Sequence, residues 1–293
     1  MTAIASRLAL GTVQFGMPYG VANRAGQVPP QQAAEILKAA RAAGVDTLDT
    51  AVAYGDSERV LGHLGVPGWR VVSKLPPCAT AGEPLGEWVR RTVLQSLRRL
   101  RIPSLHAVLL HRAADLSESR GADVFAALTA LREEGHIEAI GVSIYDPSEL
   151  EAILSQHKIE LVQTPFNIVD RRIVDSGWLH RLRDAGIKVH ARSAFLQGLL
   201  LMNVDARPAY FANWAPLWRR WEEWVTRSGM TALQACLAFV ASNPDIERVV
   251  VGFDGVDQLR EALSVSVGAA LAVPRDLASL DIRLLNPSLW PRP

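Results

Sequence analysis

Val71-Val-Ser-Lys74 and Ala107-Val-Leu-Leu-His111 are two short apolar runs, and the segment between them has the residue spacing of a helix. Neither run alternates apolar and polar residues, which is typical of strands buried on both faces of a parallel sheet. The segment between them carries an apolar stripe at spacings of three and four residues, formed by Leu85, Val89, Val93, Leu97 and Leu100. This stretch therefore predicts a strand, a helix and a second strand parallel to the first.

The same unit recurs along the chain, which has 293 residues. Eight runs predict strands: Leu8–Thr12, Thr47–Thr50, Val71–Lys74, Ala107–His111, Ala139–Ser143, Leu161–Thr164, Lys188–Arg192 and Arg248–Gly252. Eight such units in this length predict an α/β fold of the (β/α)8 TIM-barrel type, whose usual size is about 250 residues. A doubly wound sheet is the competing arrangement, but the G-x-G-x-x-G turn that would favour it is absent after the first run. No Pro/Gly/Ser-rich linker divides the chain, so we expect a single domain spanning residues 1–293.

The composition excludes several classes of protein. Hydrophobic residues make up 49% of the chain and charged residues 21%, which is typical of a soluble, core-forming protein and not of a disordered one. Thirty-one Lys and Arg residues against 30 Asp and Glu residues leave a net charge of +1. This charge is too small to attract nucleic acid or an anionic membrane, so we expect neither as a partner. Cys78 and Cys236 form neither a disulfide framework nor a zinc pattern, and the histidines lack ligand spacing, so we expect no metal site. With no secretory signal evident, we expect a cytoplasmic protein.

The sharpest chemical signal is Asp49-Thr-Ala-Val-Ala-Tyr54-Gly-Asp-Ser57-Glu58-Arg-Val-Leu-Gly62. Asp49 ends the second predicted strand, Lys74 the third and His111 the fourth, so all three are expected at the C-terminal mouth of a barrel, with Tyr54 in the adjoining loop. A phenol is a weak acid at neutral pH, and a nearby ammonium is expected to lower its pKa. An adjacent carboxylate keeps the lysine charged, and an imidazole can orient a carbonyl oxygen. This group predicts a proton donor aimed at a carbonyl.

The D-T-A-x-x-Y-G-x-S-E-x-x-L-G string, with the later lysine and histidine, resembles the aldo-keto reductase superfamily. The resemblance extends from Gly11-Thr12 to Glu261. Supporting strings are Ile140-Gly-Val-Ser143, Gln163-Thr-Pro-Phe-Asn167, Arg192-Ser193 and Gln197-Gly198-Leu199-Leu200. The resemblance implies reduction of an aldehyde or ketone by a nicotinamide cofactor. Asp49, Tyr54, Lys74 and His111 would form the catalytic tetrad, with Tyr54 as the general acid.

The resemblance also implies a binding site for the cofactor, with NADPH as the default and NADH possible. The implied cofactor-binding residues are Gly11, Thr12, Asp49, Ser143, Gln163, Arg192, Ser193, Gln197, Gly198, Leu199, Gly252, Gln258 and Glu261. Tyr19, Tyr54 and His111 would contact the small-molecule carbonyl substrate.

The chain departs from the superfamily pattern at several positions of this implied site. Ile144 follows Ser143 where asparagine is frequent, and Arg192 stands where many members stack a tyrosine on the nicotinamide. Gly252 and Gln258 occupy positions that are usually cationic. Asp254 and Asp257 add negative charge nearby, so we expect weak discrimination between NADPH and NADH.

Two other functions remain open at this point. One is a non-catalytic nicotinamide-binding module that senses redox state or regulates a partner, because a fold does not fix a function. The other is an isomerase or lyase that uses Tyr54 or Lys74 as a base. The sequence identifies neither the carbonyl substrate nor the oligomeric state.

Three local features also leave alternatives. Ser57 and Glu58 are expected to cap the following helix, with Asp56 as the alternative cap. Four tryptophans predict either a helix packed on the barrel or a contribution to the pocket or a subunit contact: Trp214, Trp218, Trp221 and Trp224. The shape of the pocket is expected to depend on the loops after strands one, four and seven and on the tail Leu284–Pro293.

Overall fold

The computed structural model describes residues 2–78, 83–118, 120–268 and 271–291 of the chain. Eight parallel strands form a closed barrel in which each strand pairs with the next, and the last pairs with the first. They are β1 (Leu8–Gly11), β2 (Thr47–Asp49), β3 (Arg70–Leu75), β4 (Leu105–Leu110), β5 (Ile137–Ser143), β6 (Leu161–Pro165), β7 (Lys188–Arg192) and β8 (Arg248–Gly252). The predicted (β/α)8 barrel is confirmed. Six of the predicted strands differ from the observed ones by one or two residues at an end. For the site, the relevant difference is that β4 ends at Leu110, so His111 is the first residue beyond it.

Helices surround the barrel and connect successive strands. They are α1 (Val13–Gly16), α2 (Pro30–Ala42), α3 (Ser57–Leu64), α4 (Leu85–Leu100), α5 (Ala114–Ser117), α6 (Gly121–Glu133), α7 (Glu149–Leu154), α8 (Arg172–Asp175), α9 (Trp178–Asp184), α10 (Ala215–Ser228), α11 (Ala232–Ala241), α12 (Val256–Leu263) and α13 (Ile282–Leu285). The apolar stripe predicted on α4 is buried against the barrel. None of the described helices is long and apolar enough to cross a membrane.

The inside of the barrel changes from apolar to polar towards the C-terminal ends of the strands. Val72, Ala107, Leu109 and Leu161 form a small apolar cluster of their own. Side chains two residues apart on a strand share a face, so Lys74 lies on the same side as Val72, and Gln163 on the same side as Leu161. The polar pair therefore lies above the apolar cluster, towards the mouth of the barrel.

The connection between β7 and α11 contains the tryptophan-rich insertion. Trp218, Trp221 and Trp224 of α10 are buried in a second apolar cluster, which also includes Leu284 and Leu285 of the tail. The rings of Trp221 and Trp224 stack with centroids 5.7 Å apart. The structure supports the packed-helix interpretation, and the indole N–H groups of Trp218 and Trp221 donate to backbone carbonyls within the same region.

The predicted capping role of Ser57 and Glu58 is wrong. Helix α3 begins at Ser57, and no side-chain capping bond forms at its N-terminus, where Asp56 is exposed and pairs with Arg59. Ser57 Oγ instead donates to the Thr12 carbonyl at 2.8 Å, which ties the helix to the loop after β1. Glu58 is buried and accepts hydrogen bonds from the side chains of Ser73, Ser96 and Arg99. These two side chains anchor α3 to its neighbours.

Candidate active site

A cavity of about 760 Å³ opens at the C-terminal mouth of the barrel. The ends of seven of the eight strands contribute to its wall: Gly11, Asp49, the position just after β4 (His111), Ser143, Gln163, Arg192 and Gly252. Ligand and catalytic sites in this fold lie at this end, where loops of several strands meet. The cavity is therefore the place to test the predicted site residues.

An ion pair lies at the floor of the cavity. Lys74 Nζ donates to Asp49 Oδ1 at 2.5 Å and to the Thr50 carbonyl at 3.0 Å. The second oxygen of Asp49 accepts from Gln163 Nε2 at 2.7 Å, so both carboxylate oxygens are engaged. The two charged side chains are only 1% and 4% exposed. Burial lowers the pKa of Lys74, and the adjacent Asp49 opposes that effect.

Tyr54 is held against this pair by a tight loop. Its backbone N–H donates to the Ala51 carbonyl, and Gly55 follows with a φ of 54°. The backbone of Gly16 packs directly against the loop, since a Cβ there would lie 1.8 Å from the Tyr54 carbonyl oxygen. Lys74 Nζ lies 4.9 Å from the centroid of the Tyr54 ring. The His111 ring stands edge-on to the same ring at a centroid distance of 5.9 Å.

The electrostatics of Tyr54 differ from the expectation based on sequence. Burial raises the pKa of Tyr54 well above its ordinary value, and Asp49 raises it further. Lys74, which was expected to lower this pKa, is not among the groups that shift it. The cation that lowers the pKa of Tyr54 is Arg192. Without a ligand, Tyr54 therefore keeps its proton at neutral pH.

His111 is neutral at physiological pH. Burial lowers the pKa of His111 to about 4, and the positive charges of Lys74 and Arg192 contribute to the shift. A neutral imidazole has one N–H donor and one acceptor nitrogen. His111 can therefore donate a hydrogen bond to a carbonyl oxygen near Tyr54 without carrying charge.

Most residues of the predicted cofactor site line the cavity. They are Gly11, Thr12, Asp49, Ser143, Gln163, Arg192, Ser193, Gln197, Gly198, Gly252, Gln258 and Glu261. Leu199 does not, because its side chain is buried in the apolar cluster of the insertion and its N–H donates to the Leu196 carbonyl. Lys74 lies beneath the wall rather than in it. The predicted substrate residue Tyr19 lines the cavity from the loop after β1, together with Pro287 and Ser288 of the tail.

The loop after β7 has an unusual backbone. Ser193, Leu196 and Gln197 have φ values of 59°, 48° and 53°, in the left-handed region that residues with a Cβ rarely adopt. Such positions cost about 1–3 kcal/mol each and persist where the surrounding structure fixes them. Hydrogen bonds from Leu196 N to Ser193 O and from Val21 N to Gln197 O hold this turn. The strained turn brings Ser193 and Gln197 to the wall of the cavity.

Several cavity residues were not assigned to the site from sequence. Gln14, Tyr145 and Asp254 line the cavity. Gln14 Oε1 and Asp254 Oδ1 are both buried without a hydrogen-bond partner among the described residues. Buried acceptors without donors are costly, so these two atoms suit a ligand that brings O–H or N–H groups. The sequence had indicated Asp254 only as a negative charge after the eighth strand. Nothing in the sequence had distinguished Tyr145.

Comparisons with known proteins agree with this architecture. The family model described as "Aldo/keto reductase family" matches residues 7–272. The chain is 25% identical over 304 residues to the NADH-specific methylglyoxal reductase of Escherichia coli K12, which covers 90% of this chain and 92% of that protein. It is 32% identical over 133 residues, 44% of this chain and 46% of the relative, to an aldo-keto reductase of Mycobacterium sp. strain KMS.

Two solved structures share the fold. The holo form of aldo-keto reductase AKR11C1 from Bacillus halodurans superposes with a TM-score of 0.71 at 19% identity, over 91% of this chain and 88% of that one. Glycerol dehydrogenase AKR11B4 from Gluconobacter oxydans gives a TM-score of 0.70 at 22% identity, with the same coverage of each chain. At these identities, the likeness supports the barrel fold alone.

Proposed function

The chain belongs to the aldo/keto reductase family of oxidoreductases, and on this premise we propose that it reduces an aldehyde or ketone to an alcohol with Tyr54 as the general acid. The observation that carries the proposal is the grouping at the floor of the cavity. The ring of Tyr54 lies 4.9 Å from Nζ of Lys74 in the buried ion pair, and 5.9 Å from the neutral imidazole of His111.

The proposed chemistry divides the work between the cofactor and these side chains. A bound reduced nicotinamide supplies the hydride to the carbonyl carbon. Tyr54 gives its phenolic proton to the carbonyl oxygen as negative charge develops there. Its raised pKa keeps the proton in place until that charge appears. His111 is suited to orient the carbonyl oxygen, and the positive charge of Arg192 stabilises the phenolate that remains.

Replacing Tyr54 tests this assignment. Tyr54→Phe keeps the ring and removes the transferable proton, so we expect turnover to fall by about 10²–10⁴-fold, the range of general acid catalysis, with little change in cofactor affinity. The assay is NADH and NADPH oxidation with a panel of small aldehydes and ketones. The panel includes methylglyoxal, because the E. coli relative is named for it. Tyr210→Phe, which removes a phenol that donates to the Arg283 carbonyl outside the cavity, is the control.

The outcomes of this assay separate the competing functions. Near-normal kcat in Tyr54→Phe would refute the role of Tyr54. Cofactor binding by the wild-type protein without turnover of any carbonyl compound would favour the sensor or regulatory function. Product formation without net oxidation of the cofactor would favour an isomerase or lyase.

We further propose that NADH is bound at least as well as NADPH, although NADPH was the default from the sequence resemblance. At the far end of the cavity, the unpartnered Oδ1 of Asp254 suits the 2′-hydroxyl of an adenosine ribose, whereas a 2′-phosphate there would meet a like charge. Gln258 is already engaged, since its Oε1 accepts from the Asp254 N–H at 2.8 Å. Lys38 and Arg260 line an adjoining groove, but Glu35 and Asp257 offset them there. The name of the E. coli relative, an NADH-specific enzyme, supports the same preference.

Affinity titrations test this preference. We expect Asp254→Asn to improve the affinity for NADPH about tenfold, the effect of about one charge repulsion near a protein surface, and to change the affinity for NADH less. Asp205→Asn removes an exposed carboxylate outside the cavity and is the control. A wild-type affinity for NADPH that exceeds the affinity for NADH by more than about threefold, or about 0.7 kcal/mol, would contradict the proposal.

A further inference from the structure

Arg192 is a fixed cation at the catalytic end of the cavity. Its Nη2 donates to the Ile144 carbonyl at 3.0 Å and its Nη1 to Ser193 Oγ at 3.3 Å. Its Cζ lies 4.5 Å from the centroid of the Tyr145 ring. Two hydrogen bonds and a ring face therefore hold the guanidinium in place at this end of the cavity.

The charge of Arg192 is not balanced locally. Among the described residues, no carboxylate forms an ion pair with it. The charges of Lys74 and Asp49 cancel each other, and His111 is neutral. The catalytic end of the cavity consequently carries a net charge of about one positive unit, supplied by Arg192.

The field of Arg192 reaches the reacting groups. Its charge lowers the pKa of both Tyr54 and His111. A carbonyl that receives a proton from Tyr54 must lie within hydrogen-bond distance of it, and the hydride donor must contact the carbonyl carbon. The nicotinamide ring must therefore lie in the same field, whichever face of the carbonyl it approaches.

Hydride transfer changes the charge of that ring. Reduced nicotinamide is neutral, and giving up a hydride, which carries two electrons, leaves a ring with one positive charge. The carbonyl carbon gains the hydride and its oxygen gains the Tyr54 proton. A nearby uncompensated cation disfavours the charged oxidised ring and has little effect on the neutral reduced one.

We propose that Arg192 makes the cavity bind reduced nicotinamide cofactor more tightly than oxidised cofactor, and so biases the enzyme towards carbonyl reduction. The inference rests on the proposed function, because it requires a nicotinamide at Tyr54. Two like charges several ångströms apart near a protein surface repel by an amount that corresponds to about tenfold or more in affinity. Arg192 acts here as a positioned charge, and it needs no direct bond to the ring.

The test is the ratio of the dissociation constants for NAD⁺ and NADH, measured at constant ionic strength by quenching of tryptophan fluorescence. We expect Arg192→Gln to lower this ratio about tenfold, chiefly through tighter binding of NAD⁺. Arg192→Lys keeps the charge and should keep the ratio within about threefold of the wild type, less than the effect of losing one charge. Arg171→Gln is the matched control, since Arg171 also bonds backbone carbonyls and contacts a ring but lies outside the cavity.

Each outcome has one meaning. An unchanged ratio in Arg192→Gln would overturn the inference. If both dissociation constants change by the same factor, the ratio is also unchanged, and Arg192 would then contact a part of the cofactor that both forms share. If Arg192→Gln does not fold, Arg192→Met keeps an apolar stem against Tyr145 and takes its place. Failure of the wild-type protein to bind either NADH or NADPH would refute the proposed function, which is a separate result.

Discussion

Replacing Lys74 by methionine would remove the ammonium of the buried ion pair while keeping a side chain of similar length. The Nζ–Oδ1 distance of 2.5 Å corresponds to an attraction of about 7 kcal/mol at an effective dielectric constant of about 20. Much of that attraction offsets the cost of burying both charges, so the measured loss is expected to be smaller. Removing one partner of a buried pair destabilises a protein by about 3–5 kcal/mol, because the other charge remains without compensation.

The expected loss is large enough to measure by thermal unfolding. For a chain of 293 residues, about 3–5 kcal/mol corresponds to a decrease in Tm of about 5–8 °C. We also expect kcat to fall severely, because Tyr54 would lose the ammonium group that holds its ring from 4.9 Å. Loss of stability alone would produce both effects, so a second variant is needed to separate them.

The double variant Asp49→Asn/Lys74→Met provides the separation. It leaves no buried charge unpaired, and asparagine still offers an oxygen to Gln163 Nε2. We expect the double variant to recover at least half of the lost Tm, while kcat stays at the level of the single variant. A Tm for Lys74→Met within about 2 °C of the wild type, or about 1 kcal/mol, would refute the stability estimate. Restored turnover in the double variant would show that the charge of Lys74 is not needed.

Three further predictions follow from the same region. The pKa of His111 is lowered to about 4 from an unfolded value near 6.5, so the unfolded chain binds more protons than the folded one between these pH values. Stability should therefore fall by up to about 3 kcal/mol as the pH decreases from 6.5 to 4. His111→Gln should flatten a plot of Tm against pH, and parallel plots for the variant and the wild type would contradict the assignment. Gly16→Ala should displace the Tyr54 loop and lower both Tm and kcat, because its Cβ would overlap the Tyr54 carbonyl. Gly86→Ala on α4 is the control: its Cβ meets nothing closer than 3.7 Å, so the change should be neutral or stabilising by about 0.5–1 kcal/mol. Glu58→Gln should lower stability by about 3 kcal/mol, since Arg99 loses its buried carboxylate partner. A kcat within about twofold of the wild type, a change of under about 0.5 kcal/mol in barrier height, would agree with a purely structural role of Glu58.

The barrel and the grouping of its polar residues were predictable because they depend on local patterns. Buried parallel strands give continuous apolar runs, and the order of strand and helix then determines the architecture. The ends of parallel strands share one rim, so Asp49 and Lys74 were expected there together. Their direct contact in the structure agrees with that expectation.

The errors come from contacts between residues far apart in the sequence. Ser57 and Glu58 have the local pattern of a helix cap, but the partners of Glu58 lie 15, 38 and 41 residues away and bury it. Arg192 and Tyr54 lie far apart in the sequence. They come close only in the closed barrel, where the charge of Arg192 lowers the pKa of that phenol. Leu199 shares a sequence string with residues of the cavity wall, yet the left-handed turn before it directs its side chain into the apolar cluster of the insertion.

The pairing of β1 with β8 closes the barrel by joining its first strand to its last. Arg7 reinforces this closure by donating to the Ile246 carbonyl, 239 residues further along. Bringing such distant segments together costs about 5 kcal/mol in loop-closure entropy, roughly 2 kcal/mol more than joining strands about 35 residues apart. This closure is therefore expected to form late in folding and to open early. Gly11 and Gly252 lie on either side of it and both line the cavity, so a ligand bound across them would stabilise the last step of folding and slow the first step of unfolding.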